Sequence, residues 1–114
     1  EVRFTAASPF PVPPGPRHLG FGDFDDDGVA DIVVASVTTN QLSLLTAAPN
    51  GTLVRRLETG RIGRNLRQIA AQDFTEDGRT DFIVANQSGG AQPSQVLLFP
   101  RSGDAAFDAP IVVT

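Results

Sequence analysis

Apolar residues in this chain come in short runs separated by polar, Gly-rich and Pro-rich stretches, and the runs recur in the same order. Leu19-Gly20-Phe21-Gly22, Ile32-Val33-Val34-Ala35, Leu42-Ser43-Leu44-Leu45 and Leu53-Val54 make one series. Ile69-Ala70-Ala71-Gln72, Phe82-Ile83-Val84-Ala85, Val96-Leu97-Leu98-Phe99 and Phe107 make the other. Short runs rich in β-branched residues and bounded by turn signals read as buried strands. Polar turns at Thr38 to Gln41 and Gln87 to Ser94 separate the second and third strands of each series. Gly turns at Asn50-Gly51 and Ser102-Gly103 precede the fourth. The pattern predicts an all-β chain of two four-stranded antiparallel units, residues 1–60 and 61–114. Phe4-Thr5, Leu53-Val54 and Phe107-Asp108 each read as the start of a fourth strand, three outer strands for two units. The N-terminal one is expected either to complete a neighbouring unit or to be redundant. Pro9, Pro11, Pro13, Pro14 and Pro16 suit a sheet poorly, because proline cannot donate to a ladder.

Between the first and second strands of each series lies an acidic loop of nine residues. The first copy, Asp23 to Asp31, reads D-F-D-D-D-G-V-A-D, and the second, Asp73 to Asp81, reads D-F-T-E-D-G-R-T-D. Oxygen-bearing side chains fall at positions 1, 3, 5 and 9, with Gly at position 6. A hard cation such as calcium takes several oxygens from one tight turn, and this spacing supplies them. In the first loop the candidate ligands are Asp23, Asp25, Asp27, the Val29 carbonyl and Asp31, while Asp26 is expected to face solvent. In the second they are Asp73, Thr75, Asp77, the Arg79 carbonyl and Asp81. Thr75 replaces a carboxylate with a neutral hydroxyl, so the second site is expected to be weaker. Five carboxylates within nine residues repel one another, so order in the first loop should depend on a cation. An EF-hand is excluded: position 12 is Val34 or Val84 rather than Glu, and the loops lead into strands, not helices. Plain Asp/Gly turns are the competing reading, which the in-register repetition disfavours. Repeated four-stranded units with the loop in this place suggest propeller blades.

The segment Gly22-Asp23-Phe24-Asp25-Asp26-Asp27-Gly28-Val29-Ala30-Asp31-Ile32-Val33-Val34-Ala35 resembles the core of an FG-GAP or VCBS repeat. Downstream Leu44 and Asn50-Gly51-Thr52-Leu53 resemble the same family. Such repeats form the blades of integrin α-chain propellers and of many secreted proteins. The resemblance implies calcium at the two loops, bracing each blade, and a secreted or cell-surface location. The second copy departs from the pattern at Thr75 and at Ala71-Gln72. Two blades do not close a ring, since propellers use about four to eight. The chain is therefore expected either to self-associate, as a trimer or tetramer, or to form part of a longer chain.

Charge adds one refinement. The formal net charge is −4, but nine of the 13 acidic residues lie in the two loops, so filling both with divalent ions would bring the chain near neutrality. All nine basic residues are Arg. Arg55, Arg56, Arg61, Arg64 and Arg67 cluster between the loops, as charged strand edges or as an anion-binding patch. Cysteine is absent, which excludes disulfides and zinc thiolate sites. No segment approaches the length of a membrane span, none reads as a signal peptide, and no nucleic-acid motif is present.

Catalysis is not expected. His18 is the sole histidine, and no nucleophile or acid–base pair stands out beyond the loop carboxylates. The expected function is that of a calcium-binding, non-catalytic binding or scaffold module. Alternatives are a calcium-stabilised lectin holding glycan between blades, or a purely structural self-assembling repeat; a protein ligand is also open. All eight aromatics are Phe, which disfavours sugar stacking, and Phe24, Phe74 and Phe82 read as core.

Overall fold

The computed structural model describes residues 9–87, 91 and 93–113. It contains two four-stranded antiparallel sheets and a small hairpin, with no helix among the described residues. The first sheet holds β1 (Pro16–Gly22), β2 (Asp31–Ser36), β3 (Gln41–Ala47) and β4 (Leu53–Glu58) in chain order. In the second, β5 (Leu66–Gln72), β6 (Asp81–Asn86) and β7 (Gln95–Phe99) follow the same path. The chain then makes the hairpin β8 (Arg101–Gly103) and β9 (Ala106–Phe107) before β10 (Ile111–Val113) closes the sheet, in the order β10-β7-β6-β5.

This corrects one expectation. Phe107 does not begin the fourth strand; it pairs with Arg101 in the hairpin, and Ile111–Val113 takes the outer position. The cause lies in packing. The Phe107 ring sits 5.6 Å from Phe24 and 4.9 Å from Phe82, centroid to centroid, and so plugs the space between the sheets instead of extending one of them. The stretch Phe4-Thr5 lies outside the described residues. The Pro-rich segment enters a strand only at Pro16, the first residue of β1, where a missing N–H is tolerated.

The core forms where the two sheets meet. From the first sheet come Val33, Ala35, Leu42 and Leu44, and from the second Phe82, Val84, Leu97 and Phe99. Cross-strand register pairs these as Val33 with Leu44, Ala35 with Leu42, Phe82 with Phe99 and Val84 with Leu97. The repeat assigns Asp31 to Asp81, so Val33 corresponds to Ile83, whereas Phe82 corresponds to Ile32. A strand shows alternate residues to opposite faces. The two sheets therefore meet through non-equivalent faces, head to tail.

The contact is closest where β1 adjoins β5. A Cβ built on Gly20 would lie 2.4 Å from Ile69 Cγ2, and Ile69 is itself only 6% exposed. Gly20→Ala is expected to push the sheets apart and to cost about 1–3 kcal/mol by overpacking. Chemical denaturation would check this, and an unchanged midpoint would show that Ile69 moves aside freely.

Candidate metal centre

Each acidic loop links the innermost strand to its neighbour, β1 to β2 and β5 to β6. The two loops adopt the same backbone. Position 4 is left-handed in both, at Asp26 (φ 60°) and Glu76 (φ 59°), and so is position 6, at Gly28 (φ 80°) and Gly78 (φ 84°). A side chain at position 6 would meet nothing within 4 Å, so glycine is needed there for its backbone freedom and not for space.

Position 1 organises each turn. Asp23 accepts N–H bonds from Asp27 (3.2 Å) and Gly28 (2.8 Å), and Asp73 accepts from Asp77 (3.1 Å) and Gly78 (2.8 Å). Position 5 accepts from position 7: Val29 N–H to Asp27 at 2.8 Å and Arg79 N–H to Asp77 at 2.9 Å. Position 9 ties the loop to the sheet. Buried Asp31 accepts from Phe24 N–H at 2.8 Å and from Ala47 N–H, at the end of β3, at 2.9 Å. Buried Asp81 accepts from Phe74 N–H at 3.0 Å, Thr75 N–H at 3.1 Å, the Thr75 hydroxyl at 3.0 Å and Arg101 N–H at 2.8 Å. Thr75 thus spends its hydroxyl hydrogen on Asp81, leaving oxygen lone pairs toward the loop.

These bonds draw carboxylates together. One carboxylate oxygen from each of Asp23, Asp25 and Asp27 lies within 4.8 Å of the others, and the same holds for Asp73, Asp77 and Asp81. Crowding is visible in their acidity. Burial, together with the neighbouring Asp27, Asp31 and Asp23 carboxylates, pushes Asp25 up to about 6. Burial acts against ionisation of Asp23 too, but the N–H bonds from Gly28 and Asp27 hold it low. The Arg79 N–H does the same for Asp77. Asp25 Oδ1 is buried and has no hydrogen-bond partner among the described residues. A buried carboxylate oxygen without a donor, beside two more carboxylates, is the environment a cation relieves. Both clusters can hold a metal ion, and the donor set of carboxylates and carbonyls suits a hard one.

Two residues depart from expectation. Asp26 is exposed, as its loop position implies, but it is not free: it forms an ion pair with the buried Arg101 guanidinium, which holds its pKa below the usual carboxylate value. Sequence reasoning missed Arg101, whose only signal is a lone Arg directly after Phe99-Pro100. Phe74 is 38% exposed and not core, while Phe24 and Phe82 are buried. The difference arises because the Asp31 and Asp81 anchors are alike but the covering is not. Phe24 is covered by Phe82 of the second sheet and Phe107 of the hairpin, and among the described residues no further sheet covers Phe74.

The arginines between the loops keep mainly local partners. Arg55 pairs with Glu58 at 3.3 Å, donates to the Pro11 carbonyl and stacks on Phe10 at 5.8 Å. Arg61 donates to Gly63 and Arg67 to Gln87. No helix among the described residues is long and apolar enough to cross a membrane.

Comparison with known families agrees with the repeat. The model of the FG-GAP-like repeat matches residues 23–84, more than half of the chain, from the first acidic loop through the second. The chain belongs to the FG-GAP-like repeat family. No curated protein matches it.

Proposed function

We propose that this chain is a calcium-braced pair of propeller blades that acts as a non-catalytic scaffold or binding unit outside the cell. One observation carries the calcium reading: Asp23, Asp25 and Asp27 converge within 4.8 Å around a buried Asp25 oxygen that lacks a donor, and a second cluster repeats the arrangement. Calcium accepts six to eight oxygens in flexible geometry, whereas magnesium demands a near-ideal octahedron. A nine-residue turn offering three or four carboxylates and a carbonyl favours calcium. The ligands would be Asp23, Asp25, Asp27, the Val29 carbonyl and Asp31 in the first loop. In the second they would be Asp73, Thr75, Asp77, the Arg79 carbonyl and Asp81. Sites of about millimolar affinity suffice at the calcium levels found outside cells, and an extracellular setting is typical of this repeat.

The sheet faces favour assembly over glycan capture. Leu19 (53%) and Phe21 (59%) are exposed on the outer face of the first sheet, yet their counterparts Ile69 and Ala71 pack in the core. On the outer face of the second sheet, Val96, Ile111 and Val113 are exposed beside Ile83 and Leu98. Each free face is thus the counterpart of a face already buried within the chain. Further blades, from a second copy in a trimer or tetramer or from the same polypeptide, would repeat the contact head to tail. A glycan site between blades is the second reading, and exposed Tyr or Trp to support it is lacking.

Calcium titration by calorimetry, with melting curves in calcium and in chelator, tests the metal. At calcium ten times Kd, each site adds about 1.4 kcal/mol and the two about 3 kcal/mol, so chelation should lower the melting point by roughly 10–20 °C. Asp25→Ala should weaken binding at one site at least about tenfold. Glu76→Gln, at the outward position 4 of the second loop, should leave both sites near their original affinity. Equal losses in the two variants would sink the assigned ligand set.

A further inference from the structure

Arg101 joins the two acidic loops. Its N–H donates to Asp81 Oδ1 at 2.8 Å, so its main chain is fixed by the last carboxylate of the second loop. Its side chain, 1% exposed, reaches toward the first loop. Nη1 donates to Asp26 Oδ1 at 3.1 Å and to the Asp23 carbonyl at 3.4 Å, and Nη2 donates to Asp26 Oδ2. Nε closes the hairpin on the Gly103 carbonyl at 2.8 Å.

The rest of the hairpin follows the same course. Ala105 N–H donates to the Phe24 carbonyl at 2.8 Å, and the Phe107 ring meets the Phe24 ring edge-on. On the other side, Arg79 Nη1 donates to the Ser102 carbonyl at 3.1 Å. The hairpin of the second repeat is therefore fastened to the first loop at residues 23, 24 and 26 and to the second at 79 and 81. In the first repeat, Ala47 occupies the place of Arg101, donating its N–H to Asp31 Oδ1, and it has no side chain to form such a bridge. The connection belongs to the interface within this chain alone.

We infer that Arg101 couples cation binding at the two loops, so that filling one raises the affinity of the other. The inference rests on the calcium reading above. A cation in the second loop fixes Asp81, and with it the main chain of Arg101. The guanidinium then holds Asp26 and the Asp23 carbonyl, positions 4 and 1 of the first loop. Asp26 has a φ of 60°, a left-handed conformation that Asp enters more readily than most residues, and the ion pair pins it there. A loop held in its wrapped form loses less conformational freedom when it binds. The guanidinium also offsets the Asp26 charge, the one carboxylate of the first loop outside the ligand set. Arg101 is a positioning residue, and linkage makes its effect reciprocal.

Calcium calorimetry on the full chain at fixed ionic strength tests this. Asp73→Asn with Asp77→Asn disables the second loop but leaves the Asp81 bonds in place; Asp25→Asn with Asp27→Asn disables the first. Each pair of substitutions is expected to lower the affinity of the intact loop by about fivefold or more, and by the same factor in both directions. In an Arg101→Met background both factors should fall to one. Should that variant not fold, Asp26→Asn removes the ion pair at an exposed position and should weaken the coupling. A purely structural Arg101 would change the melting point and leave the affinity ratio as it was. Equal first-loop affinity with and without a working second loop would overturn the coupling and leave two calcium sites standing. Coupling that survives Asp26→Asn undiminished would overturn the role of Arg101. Calcium uptake at neither loop would overturn both the coupling and the calcium reading beneath it.

Discussion

Phe82→Ala is expected to cost about 3–5 kcal/mol, the usual range for deleting a fully buried aromatic ring. Domains of this size are stable by only about 5–15 kcal/mol, so the variant should be largely unfolded at modest urea. The reason lies in the number of elements that meet at this ring. Phe82 is 1% exposed. It stacks on Phe99 at 4.6 Å within its own sheet and meets Phe24 of the first loop at 5.9 Å and Phe107 of the hairpin at 4.9 Å. Deleting it leaves a cavity bounded by two sheets and a hairpin, none of which can collapse without disturbing a loop anchored by Asp31 or Asp81. Phe74→Ala provides the contrast. That residue shares the D-F motif with Phe24 but is 38% exposed, and its loss should stay within about 0.5 kcal/mol. Urea midpoints of the two variants decide the matter. Comparable shifts would mean that the phenylalanine cluster is not the centre of the core.

The contrast between Phe74 and Phe24 also marks what was legible in the sequence. Local pattern was enough for the strands from β1 to β7, because β-branched runs and turn residues are properties of neighbours along the chain. It was enough to place the acidic loops too, whose carboxylate spacing lies within nine residues. It failed wherever the answer depended on the other sheet. Phe24 and Phe74 have the same local sequence, and only the presence of Phe107 and Phe82 over one of them buries it. The fourth strand of the second sheet moved to Ile111–Val113 because Phe107 was drawn into that same gap. Asp26 faces solvent as expected, but its ion pair was invisible because its partner, Arg101, is 75 residues away. The roles of Asp31 and Asp81 were read only in part. Position 9 was legible as an oxygen-bearing side chain, but its bonds to the end of β3 and the start of β8 depend on how distant strands pair.

Those bonds lead to the second large effect. Asp31→Ala is expected to destabilise the protein in chelator and further with calcium present, whereas Asp25→Ala should do so only with calcium. Asp31 is 0% exposed, and its two oxygens accept the N–H groups of Phe24 and Ala47. Alanine would leave both donors without an acceptor, one buried and one half-buried, at about 1–3 kcal/mol each and so about 2–6 kcal/mol together. The damage reaches β3 and the Phe24 turn before any ion is considered. Asp25 differs in kind. Its buried oxygen has no donor to lose, and burial beside Asp27, Asp31 and Asp23 makes its ionised form unfavourable. Removing that carboxylate in chelator should leave the melting point unchanged or slightly raised, since one repulsive charge has gone. In calcium the same change removes a ligand and lowers it. Melting curves of the two variants, each in calcium and in chelator, give four numbers against two for the parent. If Asp31→Ala matched the parent in chelator, position 9 would be a ligand without a structural part. If Asp25→Ala fell in chelator as far as in calcium, position 3 would hold the turn by itself, and the division of labour between an ion-binding mouth and a hydrogen-bonded base would be wrong.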